Sequence, residues 1–349
     1  MTPQRVLDTR DGRGAVGPGG TVTVDLSALT PATTTSVVLN VTGTEPTAAT
    51  FVTVYPSDEP KPETSNLNLV PRQTRANSAT VVLSADRRVT LHNFAGNTHL
   101  VVDLVGYYAT DKGSGFEPAT PLRVLDTRVG APVGPGGVVD VQLDMETWKR
   151  PSAVVLNVTA VNATTNTFVT AYTAGQPAPS TSNLNLGPNE AVPNQVIVPL
   201  DENKKFSLRN KFGNVHLVVD VMGYYSDFGW DFVAMSPIRW IDTRPYHSGP
   251  QGGTAGVYFY GFGYGRGVEA VAANLTGTNA TASQYVVAWP GGSNRPNASQ
   301  LNVVPGQTVA NAVTVGVNYE PTAGYDTVNV ANNAGYVDLI FDIAGYFRP

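Results

Sequence analysis

Residues 5–10 read Arg-Val-Leu-Asp-Thr-Arg, and residues 123–128 read the same six; a looser third copy, Arg-Trp-Ile-Asp-Thr-Arg, stands at 239–244. Outward from these motifs the chain keeps step. Val-Val-Leu-Asn-Val-Thr at 37–42 returns at 154–159 and as Val-Ala-Ala-Asn-Leu-Thr at 271–276, so Asn40, Asn157 and Asn274 are spaced 117 residues apart. Ser65-Asn66-Leu67-Asn68, Ser182-Asn183-Leu184-Asn185 and Ser299-Gln300-Leu301-Asn302 follow in the same order, then Asn77, Asn194 and Asn311. Each unit closes on an apolar strand with one acid and a Gly-Tyr-aromatic end, around Asp103, Asp220 and Asp342. A period this long is a whole domain and not a solenoid repeat.

The predicted units are residues 1–110, 119–226 and 234–349, the third divergent and rich in aromatics. The connector at 109–118 is polar and contains Gly and Ser, which predicts a flexible link. The one at 226–236 carries Phe228, Trp230 and Phe232 and is expected to pack on a neighbour. Units two and three are therefore expected to be held more rigidly than units one and two.

Within a unit the stretches Gly-Thr-Val-Thr-Val-Asp-Leu at 20–26 and Thr-Phe-Val-Thr-Val-Tyr at 50–55 alternate apolar and polar residues. They are rich in β-branched side chains and are separated by Gly/Pro turns such as Gly17-Pro18-Gly19-Gly20. No window carries a sustained helical period. The expected fold is all-β: three tandem antiparallel β-sandwich domains, jelly-roll or immunoglobulin-like, which pattern does not separate. The nearly continuous apolar runs at 37–42 and around Asp103 predict inner strands covered on both faces.

The segments Pro-x-Arg-x-(Leu/Ile)-Asp-Thr-Arg at 3–10, 121–128 and 237–244, with their downstream landmarks, resemble a tandem β-repeat family common in surface and secreted proteins of actinobacteria. Similar modules occur in structural proteins of phages that infect these bacteria. The resemblance covers nearly the whole chain and implies a β-rich extracellular module without known catalytic residues. Unit three departs from it at Trp240, at Gln300 and at Asp338, which replaces His99 and His216. The first ten residues carry no charged segment followed by an apolar one, so no export signal is expected there, which favours the phage side of the resemblance.

Composition narrows the function classes. The net charge is −5, with 14% charged residues and no cluster of Lys and Arg, which argues against a nucleic-acid partner. Without cysteine there are no disulfides, thiol nucleophiles or thiolate metal sites. No apolar run has a membrane-spanning length, so no membrane partner is expected. The four histidines are scattered, and neither a catalytic constellation nor a metal or cofactor site is written in the spacing.

The motif arginines and aspartates, Arg5, Asp8 and Arg10, Arg123, Asp126 and Arg128, and Arg239, Asp242 and Arg244, offer forks for an anionic ligand. The structural expectation is stronger. The motif aspartates cap turn amides, and one Arg per motif neutralises buried Asp103, Asp220 or Asp342, because a carboxylate in an apolar strand requires a partner. The repeated asparagines are expected to satisfy backbone groups at bulges and corners. The Asn-x-Thr sequons at 40, 157 and 274 fall in a predicted inner strand, which argues against glycosylation. As binding residues for a protein interface or a sugar face, the candidates are Tyr258, Phe259, Tyr260, Phe262, Tyr264, Trp230, Trp240 and Trp289. The competing reading is that these aromatics pack inward.

Together these readings point to a non-enzymatic structural protein on a virion surface, of the capsid-decoration, minor-capsid or fibre kind, docking by unit three and displaying the others. Its expected partners are capsid or other virion proteins, with a host cell-surface glycan as a further candidate. The alternative is an extracellular carbohydrate-binding or adhesion module on the actinobacterial surface. Three similar modules in one chain could also imitate a trimer about a pseudo-three-fold centre.

Overall fold

The structure, a computed structural model, describes every residue except 112, 145–149, 259–266 and 322–323, and no side chain over 254–258. It consists of strands joined by turns, with six small antiparallel sheets and, among the described residues, a single one-turn 3₁₀ segment at Thr127–Val129. Unit one contains β1 (Gln4–Asp8), β2 (Thr21–Asp25), β3 (Thr34–Thr44), β4 (Thr50–Pro56), β5 (Leu67–Leu69), β6 (Arg75–Val82), β7 (Arg88–Asn93) and β8 (His99–Ala109). Unit two contains β9 (Gly115–Asp126), β10 (Val138–Gln142), β11 (Ala153–Val161), β12 (Thr167–Thr173), β13 (Leu184–Leu186), β14 (Ala191–Pro199), β15 (Lys205–Asn210) and β16 (His216–Ser226). Unit three contains β17 (Asp231–Asp242), β18 (Thr254–Tyr258), β19 (Ala270–Thr278), β20 (Gln284–Pro290), β21 (Leu301–Val303), β22 (Val309–Gly316), β23 (Asn318–Glu320), β24 (Tyr325–Asn332) and β25 (Asp338–Arg348).

Strand order repeats from unit to unit. In unit one it is β1-β8-β3-β6 in one sheet and β2-β7-β4-β5 in the other. Units two and three follow the same plan, with β23 as an addition that pairs with β24. Each unit has a main hydrophobic cluster drawn from both of its sheets. In unit one, Val37, Leu39 and Val41 from β3 meet Val52 and Val54 from β4 and Leu91 from β7. The alternation in the sequence sends every second residue into this cluster.

The other face of β3 carries Val38, Asn40 and Thr42, all buried. Its equivalents in β11 and β19 are buried as well, which accounts for the nearly continuous apolar run in each of these strands. One side is covered by the unit's own second sheet. The other is covered by the neighbouring units, as Val155, Ala270, Ala272, Met222, Phe116 and Phe347 gather in one cluster across units two and three.

The connector at 109–118 is not the flexible link that its composition suggests. Strand β9 begins at Gly115 inside it, pairs Phe116 with Tyr225, and buries the Phe116 ring completely. One large ring in an apolar site outweighs the local Gly/Ser content, because burying it is favourable by roughly 2–3 kcal/mol. Likewise β17 begins at Asp231, within the second connector. The second half of each connector is thus a strand paired within the unit that follows it.

Candidate functional site

The most distinctive chemistry lies where the three units meet. Asn40, Asn157 and Asn274 sit on the outward face of β3, β11 and β19, and each reaches into the next unit. Asn40 Nδ2 donates to the Ser182 carbonyl at 2.7 Å, Asn157 Nδ2 to Ser299 at 2.5 Å, and Asn274 Nδ2 to Ser65 at 2.7 Å. Unit one thus binds unit two, two binds three, and three binds one. Such a cycle closes only about a pseudo-three-fold axis.

A second ring joins the same pairs of units with the donors reversed. Asn194 Nδ2 donates to Asn40 Oδ1 at 3.0 Å, Asn311 Nδ2 to Asn157 Oδ1 at 2.9 Å, and Asn77 Nδ2 to Asn274 Oδ1 at 2.9 Å. The carbonyl oxygens of Asn194, Asn311 and Asn77 accept in turn from the backbone N–H of Ser78, Gln195 and Ala312 in a neighbouring unit. All six asparagines are buried. An amide group presents donors and an acceptor on one short stem, so it can satisfy a neighbour's backbone and a neighbour's side chain together.

The expectation that the repeated asparagines satisfy backbone groups holds for these rings, where Asn77, Asn194 and Asn311 also donate to the Asn66, Asn183 and Gln300 carbonyls of their own units, and for a further set. Asn66 and Asn183 accept from Val54 N–H and Ala171 N–H at 2.8 Å, and Gln300 does the same for Ala288. The longer Gln300 also donates to the Ala288 carbonyl, so this departure in unit three keeps the contact.

The motif arginines flank this axis. A bulge in β1 between Arg5 and Leu7, repeated at Arg123 in β9 and between Arg239 and Ile241 in β17, brings each first arginine opposite a buried aspartate. Arg5 Nε donates to Asp103 at 3.0 Å, Arg123 to Asp220 at 2.8 Å and Arg239 to Asp342 at 2.9 Å. Burial pushes all three carboxyls above their usual range, although the paired guanidinium pulls the other way. Asp220 also accepts from Ser299 N–H of unit three, which ties the ion pair to the interface.

The second arginines fold back on their own motif. Arg10, Arg128 and Arg244 each donate a backbone N–H at 3.1 Å and a guanidinium N–H at 2.8 Å to Asp8, Asp126 and Asp242. These hydrogen bonds hold the three aspartates below the usual carboxylate range. With both carboxylates engaged, the motif closes turns and neutralises strands. Trp240 occupies the bulge position between Arg239 and Ile241, where the extra residue leaves room for a larger side chain.

At one end of the axis the aromatics collect. Tyr108, Tyr225 and Phe347, the last residues of the three Gly-Tyr-aromatic ends, surround the axis, and the Tyr108 and Tyr225 hydroxyls hydrogen-bond to one another. Phe116 packs at a tilt between Tyr225 and Phe347, with ring centroids at 5.4 and 4.7 Å, and Phe232 packs between Phe347, tilted at 5.0 Å, and Tyr108, stacked at 4.2 Å. Trp230 joins this end, exchanging two backbone hydrogen bonds of 2.9 Å with Phe116. Trp289 is 1% exposed beneath the outer face of β20 and donates its indole N–H to the Ser293 carbonyl, so it offers no stacking face. Trp240 is partly buried against the core of unit three. Tyr258 ends β18, while Phe259, Tyr260, Phe262 and Tyr264 lie outside the described residues.

Unit three also replaces a histidine. Where Thr9 meets His99 and Thr127 meets His216 at 3.1 Å, Thr243 donates to Asp338 at the same distance. Asp338 further accepts from Asn279 at 2.9 Å, from the Tyr336 hydroxyl, and contacts His247 Nδ1 at 3.1 Å. Burial acts to raise this carboxyl, but the combined donors hold it below the usual range.

No family model and no curated protein matches the chain. Among solved structures it is similar to one described as "The Triple Jelly Roll Fold and Turret Assembly in an Archaeal Virus", with 96% of this chain and 84% of that chain covered, 11% identity and a TM-score of 0.22.

Proposed function

We propose that the chain is three jelly-roll sandwich domains closed into a pseudo-trimer, and that it is a non-enzymatic structural protein on the virion of a phage of actinobacteria. The strand order of each unit, first-eighth-third-sixth opposite second-seventh-fourth-fifth, is the one that two nested Greek keys produce. The observation that carries the functional reading is the closed asparagine cycle. It gives a single chain the symmetry of a trimer, the form needed to sit on a three-fold or pseudo-three-fold position of a lattice. The motif resemblance supports the phage assignment.

In this reading unit three docks on capsid or other virion proteins, since it departs from its sisters at Trp240, Asp338 and the added β23, while units one and two are displayed. Because every unit is bonded to both others, the docking unit is one lobe of a closed body and not the end of a string. The test is co-sedimentation of the purified chain with undecorated capsids and, separately, with actinobacterial cell walls. Capsid binding that Tyr258→Ala and Tyr260→Ala abolish is the expected result. Binding to walls alone would replace the proposal with the glycan-binding reading, and binding to neither would remove both.

A further inference from the structure

Connectors join unit one to unit two and unit two to unit three, while units three and one meet by side-chain and backbone contacts alone. That third seam is held by Asn274, which donates to the Ser65 carbonyl, and by Asn77, which donates to Asn274. Its packing differs from that of its sisters. In the seam between units two and three, Met222 Sδ lies 3.8 Å from Gln300 Nε2, and Val155 joins Met222 in the apolar cluster shared by these units. The equivalent residues of the third seam are Ala344, Asn66 and Ala272. All three are shorter, and a cavity of about 20 Å³ lies between them.

This cavity reaches the axis. Ser78, Gln195 and Ala312 each follow a ring asparagine, belong to three different units, and all border it. Of the three only Gln195 is long. It is 4% exposed, and among the described residues its Oε1 is enclosed without a hydrogen-bond partner. Thr64, also in the cavity wall and also 4% exposed, has an unpartnered Oγ1. Its equivalent Thr181 shares that condition, so the acceptor peculiar to this place is the amide oxygen of Gln195. Such an oxygen is hydrogen-bonded to water in the unfolded chain, and leaving it unmet opposes folding. One water needs about 10–15 Å³ and roughly two to four polar partners, so the space and the chemistry agree.

We propose that the seam between units three and one encloses a single structural water, which donates to Gln195 Oε1 and shares a second hydrogen bond with Thr64 Oγ1. The water then fills by hydration the space that Met222 and Gln300 fill by contact in the second seam. It also ties the three units together, since Gln195 comes from unit two, Thr64 from unit one, and the opposing wall from unit three. Water suits this wall better than a cation does. The carboxylate bordering the cavity, Asp342, is already paired with Arg239, and a hard cation requires a fuller shell of oxygens than one amide and one hydroxyl provide. The site is independent of what the assembled chain docks on.

The test is a crystal structure of the full chain at a resolution that shows ordered water, together with the variants Ala344→Met and Gln195→Met. The parent should show one density peak about 2.7–3.0 Å from both Gln195 Oε1 and Thr64 Oγ1. Ala344→Met copies Met222 and should displace the peak by filling the cavity. Gln195→Met keeps the length of the side chain but removes the acceptor, and should lose the peak as well; it reads the same site should Ala344→Met fail to fold. In solution, magnetisation transfer from water to the amides of Gln195 and Ala312 should be present in the parent and lost in the variants. Absence of the peak in the parent would overturn the proposal, as would its persistence in Gln195→Met. A peak ringed by oxygens at about 2.4 Å would identify a cation and overturn the assignment to water.

Discussion

The asparagine rings and the aromatic end lie on the same axis and treat symmetry differently. The rings are complete: Asn40, Asn157 and Asn274, and Asn77, Asn194 and Asn311, are identical in all three units and make the same bonds. Among the described residues, Phe116 and Phe232 fill two of the three positions at the aromatic end. A missing amide would leave buried backbone groups unsatisfied, at about 1–3 kcal/mol each, whereas a missing ring leaves a cavity that can open to water. Polar closure therefore forces exact repetition of the asparagines.

The largest effect is expected at the aromatic end. Phe116→Ala should cost about 3–5 kcal/mol, the range for a fully buried Phe, read as a shift in the urea midpoint at constant slope. A loss below about 1 kcal/mol would mean that the aromatic end contributes little and that the comparison is misjudged.

Asn194→Ala comes next. It removes donors to Asn40 and Asn183 and the acceptor for Ser78 N–H, so a loss of about 2–4 kcal/mol is expected. Asn77→Ala and Asn311→Ala should match it within about 1 kcal/mol, since context varies such values modestly. A clear outlier among the three denaturation curves would break the pseudo-symmetry.

A smaller but sharper contrast lies in the glycines. Gly345→Ala meets the Phe232 ring and the Val233 carbonyl and should destabilise by about 1–3 kcal/mol. Gly106→Ala should stay within about 0.5 kcal/mol of the parent, as an addition into open space. Equal losses at both positions would show that Gly106 is as closely packed as Gly345.

The smallest effect concerns unit three's buried carboxylate. Asp338 has a lowered pKa when folded, so its stabilisation is present above its unfolded value near 3.8 and is lost as pH falls through the lower folded value. Asp338→Asn should therefore cost about 1 kcal/mol near neutral pH, with the difference from the parent shrinking below pH 4. Thermal melts of parent and variant at several pH values would reveal it.

Much of the architecture is legible in the residue pattern. Alternation marks the strands, and the 117-residue step marks the units. The requirement that a carboxylate in an apolar strand be neutralised leads to the pairing of Arg5, Arg123 and Arg239 with Asp103, Asp220 and Asp342. Double-sided burial of the central strands is legible too, but not what covers them. Local composition misleads at the first connector, where Phe116 matters more than its Gly and Ser neighbours. The only available signal was the correspondence of Phe116 with Phe232, each five residues before the motif proline. Trp289 reads as a candidate binding face until its burial is seen, because a strand's alternation cannot say whether its outer side meets solvent.

By itself, then, the amino-acid sequence determines the β-strands, the three-fold repetition and the charge pairs within each unit, because these depend on period, propensity and the cost of a buried charge. Only the tertiary structure decides that the repeated asparagines bond between units in a closed cycle and that each connector runs into a strand of the following unit. Those outcomes depend on which surfaces meet, and identical side chains carry no local mark of the neighbour they will bind.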